Sequence, residues 1–95
     1  MRKYTTQEQT DKLNELNIHP LVFSKYSIGD LIEMLPKIIK NIDGNNYLNI
    51  FFARGYWHII YINHHSNYEL KRESDKELAD ALYKMVVNLK DDSIL

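Results

Sequence analysis

Two hydrophobic periodicities alternate along the chain. Between Asn46 and Asn63, the runs Tyr47-Leu48-Asn49-Ile50-Phe51-Phe52 and Tyr56-Trp57-His58-Ile59-Ile60-Tyr61-Ile62 meet at Arg54-Gly55. Glycine reaches positive φ at little steric cost, which suits a two-residue hairpin turn. With Arg54 and Gly55 as the turn residues, Ala53 faces Tyr56 and side chains sort by alternation. Leu48, Ile50, Phe52, Trp57, Ile59 and Tyr61 share one face of the hairpin. Tyr47, Phe51, Ile60 and Ile62 share the other, with Asn49 and His58. Small antiparallel sheets commonly leave one face wet, yet both faces here are apolar. The pattern therefore requires something to cover each side.

Helical spacing marks the flanks. Thr5 or Thr6 can cap a first helix running to about Asn17, with Glu8 three residues after Thr5 in capping-box spacing. It offers only Leu13 and Leu16 to a core, and Asn17-Ile18-His19-Pro20 ends it. Leu21-Val22-Phe23 follows as a short apolar linker. Ser27 caps a second helix, with Asp30 three residues on and Ile28, Leu31, Ile32 and Leu35 as its stripe. Pro36 should stop it. The segment Lys37–Ile42 reads either as more helix or as a first strand closed by an Asp43-Gly44 turn. Asp-Gly between apolar runs favours the strand. Tyr68-Glu69-Leu70-Lys71 could add a brief fourth. Ser74, with Glu77 three residues later, is positioned to cap a last helix carrying Leu78, Leu82, Met85 and Leu89, flanked by Ala81 and Val86. The expectation is an α+β fold: a single small domain spanning 1–95, with a three-stranded antiparallel β-meander packed against two or three α-helices.

Three segments, YTTQEQTDKLNELNI, YSIGDLIEMLPK and ADALYKMVVNLKDDSIL, resemble a family of short uncharacterised proteins from phage and prophage-like regions of gut bacteria. The likeness covers about half the chain and rests on caps, helix stripes and one proline. It departs from the family pattern in a short Pro20-to-Ser27 segment, and at Tyr26 and Asn88, where tryptophan is common. It implies a mobile-element origin and an α+β fold, and carries over no catalytic or binding residue.

Composition narrows the chemistry. There is no cysteine, which excludes disulfides, thiolate metal sites and a cysteine nucleophile. No apolar run approaches a membrane span and no signal sequence opens the chain, so the expected location is the cytoplasm of a host cell. Twelve basic against thirteen acidic residues leave a net charge of −1. Duplex-DNA binders usually show a basic excess, because phosphate neutralisation supplies most of their affinity. His58, His64 and His65 with Glu69 could in principle hold a metal. Adjacent histidines on a strand diverge, however, and no second ligand pair sits at metal spacing. Gly29, Gly44 and Gly55 are too dispersed for a phosphate-cradling loop. No enzyme activity, metal or cofactor is expected.

The remaining candidate is the second hairpin face, with Tyr47, Phe51, His58, Ile60 and Ile62 as an interaction surface. Its aromatics could stack nucleic-acid bases, although the missing positive charge weighs against that. A non-catalytic protein-binding role, in host interaction or counter-defence, fits better, with a nucleic-acid-binding regulator as the alternative. The first helix is too meagre to cover the face, so the sequence predicts a homodimer burying it. The competing arrangement folds Leu21-Val22-Phe23 and Ile94-Leu95 over it.

Overall fold

In the computed structural model, which describes residues 1–17 and 25–95, the elements follow the order α1 (Gln7–Glu15), α2 (Ile28–Met34), β1 (Ile38–Asn41), β2 (Gly44–Ala53), β3 (Tyr56–Asn63), β4 (Glu69–Asp75) and α3 (Leu78–Asp91). The class is α+β. The sheet has four strands rather than three, all antiparallel and in sequential order. The expectations at His19, Pro20 and Leu21-Val22-Phe23 lie outside the described residues.

The central hairpin has the register read from its turn. Arg54 and Gly55 take φ of 55° and 83°, the paired positive values whose twist matches the flanking strands. Ala53 faces Tyr56, Ile50 faces Ile59 and Asn46 faces Asn63. The first hairpin turns one residue earlier than expected. Asn41 pairs with Gly44, so Ile42 and Asp43 are the turn residues. Gly44 still supplies a positive φ, 117°, but from the first position of β2. Side chains hold this register: Asp43 N–H donates to Asn41 Oδ1 at 3.0 Å, and Asn63 Nδ2 donates to the Asp43 carbonyl at 2.9 Å.

The larger correction is at β4. Ser74 caps no helix. It lies within the strand, opposite His58, and α3 begins at Leu78 with Glu77 in the capping position. The Glu77 N–H is instead taken by Asp75 Oδ1 at 3.0 Å. An uncovered β3 edge would leave a row of unpaired backbone groups. Running β4 to Asp75 satisfies them, at the cost of a register shift opposite Tyr61 and Ile62.

The two N-terminal helices both carry capping boxes, one of them built from residues other than those expected. Ser27 and Asp30 form a reciprocal box on α2. On α1 the box is Thr6 with Gln9 rather than Thr5 with Glu8. Thr5 is buried instead: its hydroxyl lies 2.7 Å from that of Thr10 and accepts from the Tyr26 N–H. Arg2 is more than a terminal charge. It pairs with Asp80 on α3, and its guanidinium also donates to Gln9 Oε1 and the Tyr4 carbonyl.

Leu78, Ala81, Leu82, Met85, Val86 and Leu89 recur at helical spacing and are all buried. They join Leu13, Leu31 and Met34 from the other helices, Leu35 just beyond α2, and Ile59 and Tyr61 from β3, in one core. Leu48, Ile50 and Trp57 pack on its edge. Phe52 shares their side of the sheet but sits near the hairpin tip, where it is 56% exposed. Leu95 also packs against this core, and both Ile94 and Leu95 donate to the Leu89 carbonyl. The C-terminal tail therefore folds on the helical side, not over the opposite sheet face.

Candidate interaction face

The helices lie on one side of the sheet, and among the described residues no element covers the other. Alternation decides what this open face presents. Ile38 of β1 stands opposite Tyr47, which stands opposite Ile62. Asn49 faces Ile60 and Phe51 faces His58. From β4, Glu69 lies opposite Ile62, Arg72 opposite Ile60 and Ser74 opposite His58. All five residues nominated from the sequence thus share this face, but not equally. Tyr47 and Phe51 are open, at 36% and 38%, as is Ile38 at 41%. His58 and Ile62 are half-buried. Ile60, at the centre, is buried.

The polar groups on the face are fixed by one another. The His58 ring stacks on Phe51 with centroids 5.0 Å apart. Its Nδ1 lies 2.7 Å from Arg72 Nη1 and 2.8 Å from Ser74 Oγ, and its Nε2 lies 3.2 Å from the Ala53 carbonyl. A guanidinium can only donate. Nδ1 therefore accepts, and the ring proton sits on Nε2, donating to Ala53. Arg72 also makes a two-pronged pair with Glu69, through Nε at 2.9 Å and through Nη2. The Arg72 hydrogen bond holds the Glu69 carboxyl below its ordinary range, and Glu69 raises Arg72 in return. Further along, the His64 ring stacks on Tyr47 with centroids 4.8 Å apart.

His64 and His65 do not converge on a shared ligand. Among the described residues, no group of three or more His, Cys, Asp or Glu is placed to hold a metal ion, and no helix is long and apolar enough to cross a membrane. A concavity of about 480 Å³ lies as an open groove between β4 and α3. Asp91 aside, the charges that line it are committed to structural pairs. Lys71 binds Asp92 and Asn88, Asn88 Nδ2 donates to Glu73, and Lys84 near its rim holds Asp75 at 2.8 Å. Tyr61 is pushed well above its ordinary value by burial, its hydroxyl donating to the Pro36 carbonyl at 2.8 Å.

Sequence reasoning missed Arg72 and Ser74 on this face because Lys71–Asp75 has no apolar alternation to mark a strand. Ile38 stands on this face opposite Tyr47, whereas Ile42, at the turn, is fully exposed and does not join it. No family model, curated protein or solved structure matches this chain.

Proposed function

We propose that this protein is a non-catalytic protein-binding module whose binding surface is the open face of the sheet. The observation that carries this reading is the contiguous placement of Ile38, Tyr47 and Phe51, exposed around Ile60 and Ile62. Contiguous apolar surface of this kind marks docking sites, and aromatic anchors dominate the energetics of interface centres. The mutual bonding of His58, Ser74, Arg72 and Glu69 adds preorganisation, so little side-chain freedom is lost when a partner seats. The resemblance to phage and prophage proteins supports a role on a host protein, in host interaction or counter-defence, in the host cytoplasm.

One observation favours a second reading, a nucleic-acid-binding regulator. The stacked pairs Tyr47–His64 and Phe51–His58 present ring faces of the kind that hold unpaired bases. Against it, Lys40, Arg72 and Lys76 (over the Tyr56 ring) are dispersed cations on this face, Arg72 is neutralised by Glu69, and the chain carries a net −1. A photo-crosslinking residue at Tyr47 should capture protein, whereas the same residue at Ile42, fully exposed at a turn, should not. Micromolar, salt-dependent binding to single-stranded oligonucleotides in an anisotropy titration would overturn the reading in favour of the regulator.

A further inference from the structure

We infer that the partner of the open sheet face is a second copy of this chain, docked sheet to sheet about a twofold axis. The inference rests on the reading of this face as a protein-binding surface. Size is the first argument. Strands of 4, 10, 8 and 7 residues, spaced by about 4.8 Å and rising ~3.3 Å per residue, give a face of roughly 460 Å² in projection. Side-chain relief raises its accessible area toward the ~800 Å² per partner that a standard stable interface buries.

Charge is the second argument. The centre of the face, Tyr47, Phe51, Ile60 and Ile62, carries no charge, and its cations and anion stand on or just beyond the outer strands β1 and β4. Lys40, Arg72 and Lys76, the last over the ring of Tyr56 on this face, against Glu69 leave it at about +2. Arg72 is paired with Glu69, and Lys40 on β1 and Lys76 beyond β4 stand at opposite edges, so a polyanion meets no continuous basic patch. A second copy meets apolar centre with apolar centre, and its rim brings both signs of charge. That anatomy, apolar core within a polar rim, is the one homodimer interfaces show. Face-to-face sheets at ~10 Å also let both faces of β2 and β3 leave water, which their two-sided apolar pattern demands.

A twofold interface places each residue in it twice, so a single substitution acts on both halves. Light scattering on the purified chain, from about 1 to about 100 µM, spans dissociation constants of micromolar order. The expected mass is twice 11.3 kDa, 22.6 kDa. Phe51→Lys should weaken the dimer by at least ~100-fold and return the mass to 11.3 kDa with an unchanged circular dichroism spectrum. Ile38→Lys, on the edge strand, provides the same test should Phe51→Lys fail to fold. Phe52→Lys, on the opposite side of the sheet, should stay dimeric. A wild-type mass of 11.3 kDa throughout the range overturns the inference, as does equal disruption by the Phe51 and Phe52 variants. The Tyr47 crosslink separates the two levels of the argument. A product joining two copies supports both, a product with a different protein keeps the binding reading and overturns the dimer, and no protein product overturns both.

Discussion

Leu82 lies on the buried stripe of α3, excluded from water within the cluster that includes Leu78, Met85, Ile59 and Tyr61. Leu82→Ala deletes three carbons from that interior. At about 0.8 kcal/mol per buried methylene, the lost transfer energy is about 2.4 kcal/mol. Neighbours held by the sheet on one side and α2 on the other collapse only partly, and the residual cavity raises the total to about 3–4 kcal/mol. A chain of 95 residues has about 5–14 kcal/mol of stability in all. The variant should therefore still fold in the cold, with its melting temperature lowered by roughly 12–30 °C. Urea titration followed by Trp57 fluorescence measures the loss directly, because Trp57 packs on the edge of the same core. The midpoint should fall with the slope unchanged. Leu82→Met, which conserves volume, should cost less than about 1.5 kcal/mol. A loss below about 1 kcal/mol for the alanine variant, or equal losses for both, would refute the packing of α3 on this sheet.

Three further outcomes are expected. Gly44→Ala should destabilise by about 1–3 kcal/mol, because its φ of 117° strains any L side chain although the added Cβ would meet Asn63 Nδ2 at an ordinary 3.5 Å. Gly29→Ala, in α2 with only Ser27 Oγ at 3.7 Å, should stabilise by up to about 1 kcal/mol; the opposite order in thermal melts would refute the assignment of strain. Asp75 is held below its ordinary value, first by the Lys84 hydrogen bond and then by the Glu77 N–H, so the folded state binds its proton less readily than the unfolded chain. That contribution is complete above the unfolded value of 3.8 and is lost as pH falls through the lower folded value. Asp75→Asn should flatten the acid limb of stability below about pH 4, and a pH profile identical to wild type would show that the Lys84 pair adds nothing.

Local chemistry alone determined much of this fold. The Ser27–Asp30 box, the α3 stripe from Leu78 to Leu89 and the Arg54-Gly55 turn each depend on residues within a few positions of one another. Alternation from that turn then placed Tyr47, Phe51, His58, Ile60 and Ile62 on one face without any knowledge of the rest of the chain. Tertiary structure decided what local rules left degenerate. Ser74 and Glu77 have the spacing of a cap, yet the free edge of β3 drew Ser74 into β4, because backbone pairing along a whole strand outweighs one capping bond. Asp43-Gly44 has the composition of a turn, yet the bond from Asn63 to the Asp43 carbonyl, reaching across from β3, fits a register one residue earlier. Arg72 and Ser74 reached the open face for the same reason β4 exists at all. Strand pairing is a contact between distant residues, and its energy is written in the edge it covers rather than in the segment that covers it.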